Sequence, residues 1–460
     1  MLSNTLGLVF YQLVNLLVSY ELAIQLTVVE FGEYQFYLSL AFFSVMLLKL
    51  GVDEGLVYSL PKYSNAQASS ILWLIFGVYV LIFYILFSIK VPGNYLLSLA
   101  NLGLSYELLL NISLSFFCLT YLGAVLRAKG YIVTRVVGIY VVSPVVMLAL
   151  IVVKGGGVDS ILSYRVDSFW MAVLVMALAF VISNRRFEFE NSCLRIKNVM
   201  KISLGIFVLQ VFQSGIEQSY LALVIVKYLD TEIYLGFYSF AIRYSALLAM
   251  VVIIFNGFFV PIMASMMSSG RHDELKDAYL LGSNVAIAMS CIAFILLYSF
   301  VHEIVELIDI KFLPAIGFIK ILLFAHFSTL LFGLNLPIIF FYNKKYELYN
   351  LLFCCLVMLV IGLWLANMYG ALGVAYAALL SHILMNLIRA RKVYKILGGN
   401  IYKNLNTHKG LISILIFVGF FEAVPEKINV EIKLWVSILL VMFFVGRYYT
   451  SLVKLAKYRL

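Results

Sequence analysis

Apolar runs long enough to cross a bilayer, separated by short polar connections, recur along nearly the whole of this sequence. A helix needs about 20 apolar residues to span a hydrocarbon core of roughly 30 Å, and in lipid each backbone N–H and C=O must find its partner within the protein. With 64% hydrophobic against 12% charged residues, the chain cannot clothe a water-facing surface of its size. The reading is an integral membrane protein. A mean hydropathy of +1.03 argues against a barrel, whose lumen-facing positions alternate polar with apolar. A helical bundle remains.

The hydropathy pattern predicts about fourteen spans. Six run over 6–28, 35–59, 70–90, 105–126, 131–153 and 162–183. After the polar stretch 184–200, six more run over 201–226, 233–260, 279–301, 315–341, 347–367 and 371–389. The first run lacks a basic n-region and a small-residue cleavage site, so it is expected to stay uncleaved. The expected organisation is an N-terminal lobe over 1–183, a linker over 184–200, a C-terminal lobe over 201–389, a basic linker over 390–409, and 410–460 holding two extra spans (410–424 and 431–449) with a basic tail.

The formal charge of +10 suggests an anionic partner until the cations are placed on this frame. With the amino terminus inside, one side collects Lys62, Arg127, Lys129, Arg135, Arg185, Arg186, Lys344, Lys345 and the basic stretch from Arg389 to Lys409. The other side has few cations and gathers Glu30, Glu33, Asp230, Glu232, Glu303 and Glu306. Cytoplasmic connections accumulate Lys and Arg, so both termini are expected in the cytoplasm. The cations thus form the stripe of one leaflet and not a groove for nucleic acid, which is not expected as a partner. Cys118, Cys193, Cys291, Cys354 and Cys355 offer no disulfide framework. His272, His302, His326, His382 and His408 lack ligand spacing, so neither a metal nor a cofactor is expected.

The segment Phe31-Gly32-Glu33-Tyr34-Gln35-Phe36-Tyr37 entering the second span is echoed by Leu235-Gly236-Phe237-Tyr238-Ser239-Phe240-Ala241 entering the eighth. Six spans, an even number, separate the copies. Two six-helix lobes in the same orientation, related by a pseudo-two-fold axis along the membrane normal, are the expected consequence. These residues, with Glu30 before the first copy, Leu50-Gly51-Val52, Leu126-Arg127-Ala128-Lys129-Gly130, Arg243, Pro261 and Asp273-Glu274-Leu275, give the chain its likeness to a known family. It resembles the polysaccharide-export branch, the Wzx-type O-antigen flippases, of the multidrug/oligosaccharidyl-lipid/polysaccharide (MOP) exporter superfamily. The resemblance implies a bacterial inner-membrane protein that moves undecaprenyl-diphosphate-linked oligosaccharide repeat units to the periplasmic leaflet by alternating access, for O-antigen or another lipopolysaccharide or surface polysaccharide. Membrane lipids and other polysaccharide-assembly proteins are the implied partners.

Ionisable residues within spans are costly and tend to mark transport routes. Arg165 and Lys320 lie near helix ends and are expected to snorkel to the interface. Lys49 and Arg243 lie deeper, each about 15 Å from the nearer end of its predicted helix. Lys49 has Asp53 four residues on, so an ion pair and a ligand contact explain it equally well. For Arg243 the expected partner is Glu217: a diphosphate would take over the guanidinium, and the released Glu217 would take up a proton. Gln210, Gln213, Ser214, Glu217 and Gln218 share one predicted face of the seventh span; Gln12, Asn15 and Ser19 form a weaker stripe on the first, with Glu21 opposite. The candidate substrate contacts are therefore Arg243, Lys49, Gln210, Gln213, Gln218, Gln12 and Asn15. Glu217 and Glu21 are the coupling candidates, for H+ or Na+. Interhelical hydrogen bonding is the bland alternative for the stripes. A cation-coupled multidrug exporter of the same superfamily is the principal competing function. A lipid II flippase or a membrane polymerase or glycosyltransferase fits less well, and no enzymatic activity is expected because no catalytic loop or D-x-D pair is present.

Overall fold

The computed structural model describes residues 2–99, 103–183, 193–398, 407–423, 433–442 and 444–446. Among these residues the chain is helical throughout, with no strand, and eleven helices are long and apolar enough to cross a membrane. The chain is a multi-pass membrane protein. Lys344–Leu397 merges two spans, since Gly370 inside it has φ 60° and ψ −145°. Counting it twice and adding the shorter Thr407–Ala423 and Lys433–Gly446 helices accounts for the fourteen expected spans.

The helix boundaries depart from the expected ones wherever capping or a left-handed residue outweighs hydropathy. The second span begins at Val28, not at 35, because Thr27 and Glu30 form a reciprocal capping box. It ends at Lys49, where Leu50 and Gly51 both turn left-handed (φ 50° and 71°), and a separate helix runs over Val52–Ser59. Leu50 carries a conformation that costs a branched residue about 1–2 kcal/mol. The seventh span is likewise broken: Cys193–Glu217 is followed by left-handed Ser219 (φ 59°) and then Tyr220–Leu229. The tenth is split at Gly333 (φ 90°) into Ile316–Leu331 and Asn335–Tyr342. The fifth, Ile132–Lys154, holds a π-helical turn over Val137–Val142. Such turns insert a residue into the helical ladder and re-aim the side chains beyond it.

The residues divide into two compact units, Leu2–Ser214 and Gly215–Leu460. The division falls inside the Cys193–Glu217 helix and not in the polar stretch 184–200. The reason is close packing within the first unit: a Cβ at Gly55 would collide with the Ser203 side chain, and one at Gly51 would meet Phe207 N at 3.0 Å. The core of that unit is aromatic. Phe117 lies 4.5 Å from Tyr79 and 5.6 Å from Tyr121 between ring centroids. Both tyrosine hydroxyls donate to backbone carbonyls of neighbouring helices, Tyr79 to Lys49 O at a helix end and Tyr121 to Leu72 O within a helix, each at 2.7 Å. In the second unit Phe294 packs on Phe327 at 5.1 Å. There Tyr279 donates to Asn335 Oδ1 at 2.8 Å, and its hydroxyl stands where a Cβ on Gly333 would fall, which fixes glycine at that break.

Candidate functional site

Among the described residues, the strongest concentration of buried charge lies in the second unit and is built from three helices distant in sequence. Glu217 is the last residue of Cys193–Glu217, Glu347 sits in the first turn of Lys344–Leu397, and Arg389 lies beyond the Gly370 kink of the same merged helix. Asn343 caps that helix by accepting from Tyr346 N at 3.0 Å, which orients its first turn and therefore Glu347. The Arg389 guanidinium is 2% exposed and Glu347 is fully buried. Arg389 Nη2 donates to Glu347 Oε1 at 2.6 Å and to Glu217 Oε1 at 3.1 Å, while its Nε donates to Glu347 Oε1 at 3.0 Å. Both Arg389 bonds to Glu347 fall on one oxygen; its buried Oε2 has no hydrogen-bond partner among the described residues.

Two carboxylates therefore face one guanidinium. An ionised Glu347 at this depth is costly unless paired, and Arg389 is the cation that pairs it; Glu217, with 29% of its side chain exposed, is only half-buried. Further polar groups line the same helix. Asn350 donates to Met385 O at 3.3 Å, and Asn386 to His382 O at 2.8 Å, while the His382 ring stands edge-on to His326 with centroids 5.7 Å apart. His382, Asn386, Arg389 and Val393 follow one another at four- and three-residue steps and are buried.

Placing Arg389 at the head of a basic cytoplasmic linker was the sequence expectation; the structure instead buries it inside a helix that continues to Leu397. Its polar stripe was the one available signal, and the surplus of Lys and Arg just beyond it masked that signal. Glu347 escaped notice because it follows Lys344 and Lys345 and reads as a solvated first turn.

The other expected site residues fall in both units. In the second, Glu217 meets Arg389 as described, Arg243 is half-buried on Glu232–Ser268, and Gln218 is exposed in the break after Glu217. The helical stripe of the seventh span thus stops at Glu217 and does not include Gln218. In the first unit, Gln210 and Gln213 are half-buried and Ser214 Oγ lies 3.3 Å from Met46 Sδ. Lys49 Nζ pairs with Asp53 Oδ2 at 2.7 Å, across the Leu50-Gly51 break. On the first span Asn15 donates to Tyr11 O and Ser19 to Asn15 O, each at 2.8 Å, so both use the carbonyls of their own helix. Gln12 and Glu21 are half-buried. Arg165 does not snorkel: it is 7% exposed and donates through Nη2 to the hydroxyl of Tyr34 at 3.0 Å. The tyrosine of the first G-x-Y copy is thereby an acceptor for a buried cation. Lys320 is held by Glu422 Oε1 at 2.6 Å.

No protein-family model matches the sequence, and no curated protein matches it significantly. Solved structures do match. The chain superposes on an inward-facing multidrug resistance MATE family transporter of the MOP superfamily with a TM-score of 0.69 and 13% identity, covering 84% of this chain and 95% of that one. It matches the MATE multidrug transporter DinF-BH, solved with a bound ligand, at a TM-score of 0.63 and 16% identity, covering 86% and 94%. A MOP superfamily transporter from Pyrococcus furiosus matches at 0.53 and 14%, covering 86% and 94%. Identities this low speak to architecture alone, and the architecture is clear: this chain has the fold of the MATE transporters of the MOP superfamily.

Proposed function

We propose that the chain is a cation-coupled membrane transporter working by alternating access, with the Glu217–Arg389–Glu347 cluster as its coupling centre. The observation that carries this reading is one buried guanidinium shared by two carboxylates, Glu347 fully buried with an oxygen that has no partner among the described residues, and Glu217 half-buried. A proton on Glu217 releases it from the guanidinium and leaves Arg389 to bind Glu347 alone. Protonation and release then alternate the cluster between two arrangements, which is what coupling a gradient to a conformational change requires.

The exported solute on this reading is an amphipathic organic compound. The solved proteins that share the fold support it, since those described above include multidrug transporters. The polysaccharide reading has its own support in Arg243. A half-buried guanidinium on a spanning helix suits a diphosphate headgroup and repels a cationic drug, so translocation of an undecaprenyl-diphosphate-linked oligosaccharide is the second reading. Both place the protein in a bacterial inner membrane with cytoplasmic termini, as the distribution of Lys and Arg suggests.

Proteoliposomes carrying an imposed pH gradient test both. Gradient-driven efflux of a cationic dye, abolished by Glu217→Gln and by a protonophore, supports the drug reading. Absence of dye transport, with restoration of surface polysaccharide in a host lacking its repeat-unit flippase and loss of that rescue in Arg243→Ala, favours the second. Transport indifferent to both the protonophore and Glu217→Gln overturns the coupling centre.

A further inference from the structure

Away from the charged cluster, the first unit carries a groove of about 330 Å³. It lies among the Asn65–Ser88, Tyr106–Ala128 and Val158–Ser183 helices, at the ends of the latter two that lead into Lys129 and out of Phe180. Trp73, Phe76, Leu122, Trp170 and Ala177 are among its walls, and almost the whole lining is apolar. Tyr121 also borders it, but its hydroxyl is taken up by Leu72 O at 2.7 Å. One cation stands in the lining. Lys129, the C-cap of the Tyr106–Ala128 helix, places Nζ 5.3 Å from the centre of the Phe180 ring at the mouth of the groove. Burial pulls the Lys129 ammonium below its ordinary pKa, so an anion placed beside it would restore the charged form. The indoles of Trp73 and Trp170 are 52% and 40% exposed, as residues at the boundary between hydrocarbon and headgroups are.

An apolar slot with an ammonium at its mouth has the polarity of one class of molecule. We infer that this groove holds an acyl chain of an anionic membrane phospholipid, with the headgroup phosphate on Lys129. The choice of an ordinary phospholipid over a long polyprenyl lipid follows from the volume, which takes up much of one acyl chain, whereas a polyprenyl tail several times longer would leave most of its length outside. A sugar is excluded by the lining, which offers almost no hydrogen-bonding groups. The inference is independent of what the protein transports.

The two indoles in the groove provide the readout. The full-length protein with Trp364→Phe and Trp435→Phe retains only Trp73 and Trp170, because the chain has 4 tryptophans. Reconstituted with brominated phosphatidylglycerol, it should show a saturable quenching component at low mole fraction. The same titration with brominated phosphatidylcholine should give only gradual quenching by surrounding lipid. Lys129→Gln should weaken the saturable component about fivefold, as expected for loss of one Lys contact at the membrane surface, and Lys129→Arg should keep it. Ala177→Phe, which fills the slot, should remove the component while the protein still elutes as a monodisperse species. Identical curves for the two lipids, or a Lys129→Gln curve that superposes on the parent, overturns the inference. So does displacement of the brominated lipid by a polyprenyl phosphate at lower mole fraction than by unlabelled phosphatidylglycerol, since the groove would then belong to a different lipid.

Discussion

The two units each bury a cation against carboxylate, and they do so in opposite ways. In the first, Lys49 meets Asp53 one to one, and the side chains keep 10% and 17% of their exposure. In the second, Arg389 meets two carboxylates, and Arg389 and Glu347 keep 3% and 0%. Each cluster has one carboxylate oxygen without a described partner, Asp53 Oδ1 and Glu347 Oε2, so satisfaction of hydrogen bonds does not separate them. Charge does. A balanced pair beside a helix break is complete as it stands and serves to hold Lys49 across the left-handed Leu50 and Gly51. A guanidinium shared by two carboxylates can trade one for the other, and the coupling role proposed above rests on that exchange.

The sharpest way to break this contrast is to remove each cation in turn. Arg389→Leu leaves the buried Glu347 without its cation beside the half-buried Glu217 and should destabilise the protein by about 3–5 kcal/mol, seen as a fall in melting temperature in detergent or as loss of the folded species. Lys49→Leu leaves a single, partly exposed Asp53 and should cost clearly less by the same measurement. Next in size is a functional effect without a stability effect. Glu217→Gln keeps the balanced Arg389–Glu347 pair, so the protein should fold normally while gradient-driven transport falls at least about tenfold. Equal transport in the parent and Glu217→Gln would place the two clusters in the same structural category.

The motif tyrosines sharpen the comparison at lower energy. Tyr34 accepts from Arg165, whereas Tyr238 in the second copy is fully buried, packs edge-on to Phe318 at 6.0 Å, and has no described partner for its hydroxyl. Tyr34→Phe should cost about 1.5–3 kcal/mol, the worth of a hydrogen bond to a charged group, and Tyr238→Phe should be neutral or stabilise by about 1 kcal/mol, both read from thermal unfolding. The smallest expected change is in the Lys49→Met/Asp53→Asn double variant. Removing both charges together should leave stability within about 1 kcal/mol of the parent and transport unchanged.

Which parts were legible in the sequence follows from the range of the interactions. The spans announce themselves through local hydropathy, and the Lys49–Asp53 pair through a four-residue spacing, although the intervening chain is not the continuous helix that spacing presumes. The Gly32-x-Tyr34 and Gly236-x-Tyr238 copies both lie on helices entering equivalent spans, but nothing in them foretold that Arg165 would serve the first. The Glu217–Arg389–Glu347 cluster joins residues 172 and 42 positions apart, beyond the reach of any helical periodicity. The rule that assigns clustered Lys and Arg to cytoplasmic loops also pointed away from Arg389. The breaks at Leu50 and Ser219 were illegible for a different reason: both residues ordinarily disfavour the left-handed conformation, and packing alone imposes it.

One last consequence concerns the Gly370 kink between the eleventh and twelfth spans. Asp230, from the connection after Tyr220–Leu229, accepts from Ala371 N at 2.6 Å, and a methyl group on Gly370 would lie 2.7 Å from the same carboxylate. The tip of this hairpin is thus riveted to a neighbouring turn, and it is a poor place to splice an epitope or reporter enzyme. At the three consecutive glycines Gly155, Gly156 and Gly157, of which Gly155 and Gly156 have positive φ, the described hydrogen bonds are all local, Gly155 O accepting from the Tyr164 hydroxyl at 3.0 Å. Investigators mapping which side of the bilayer each connection faces would do well to begin their insertions there.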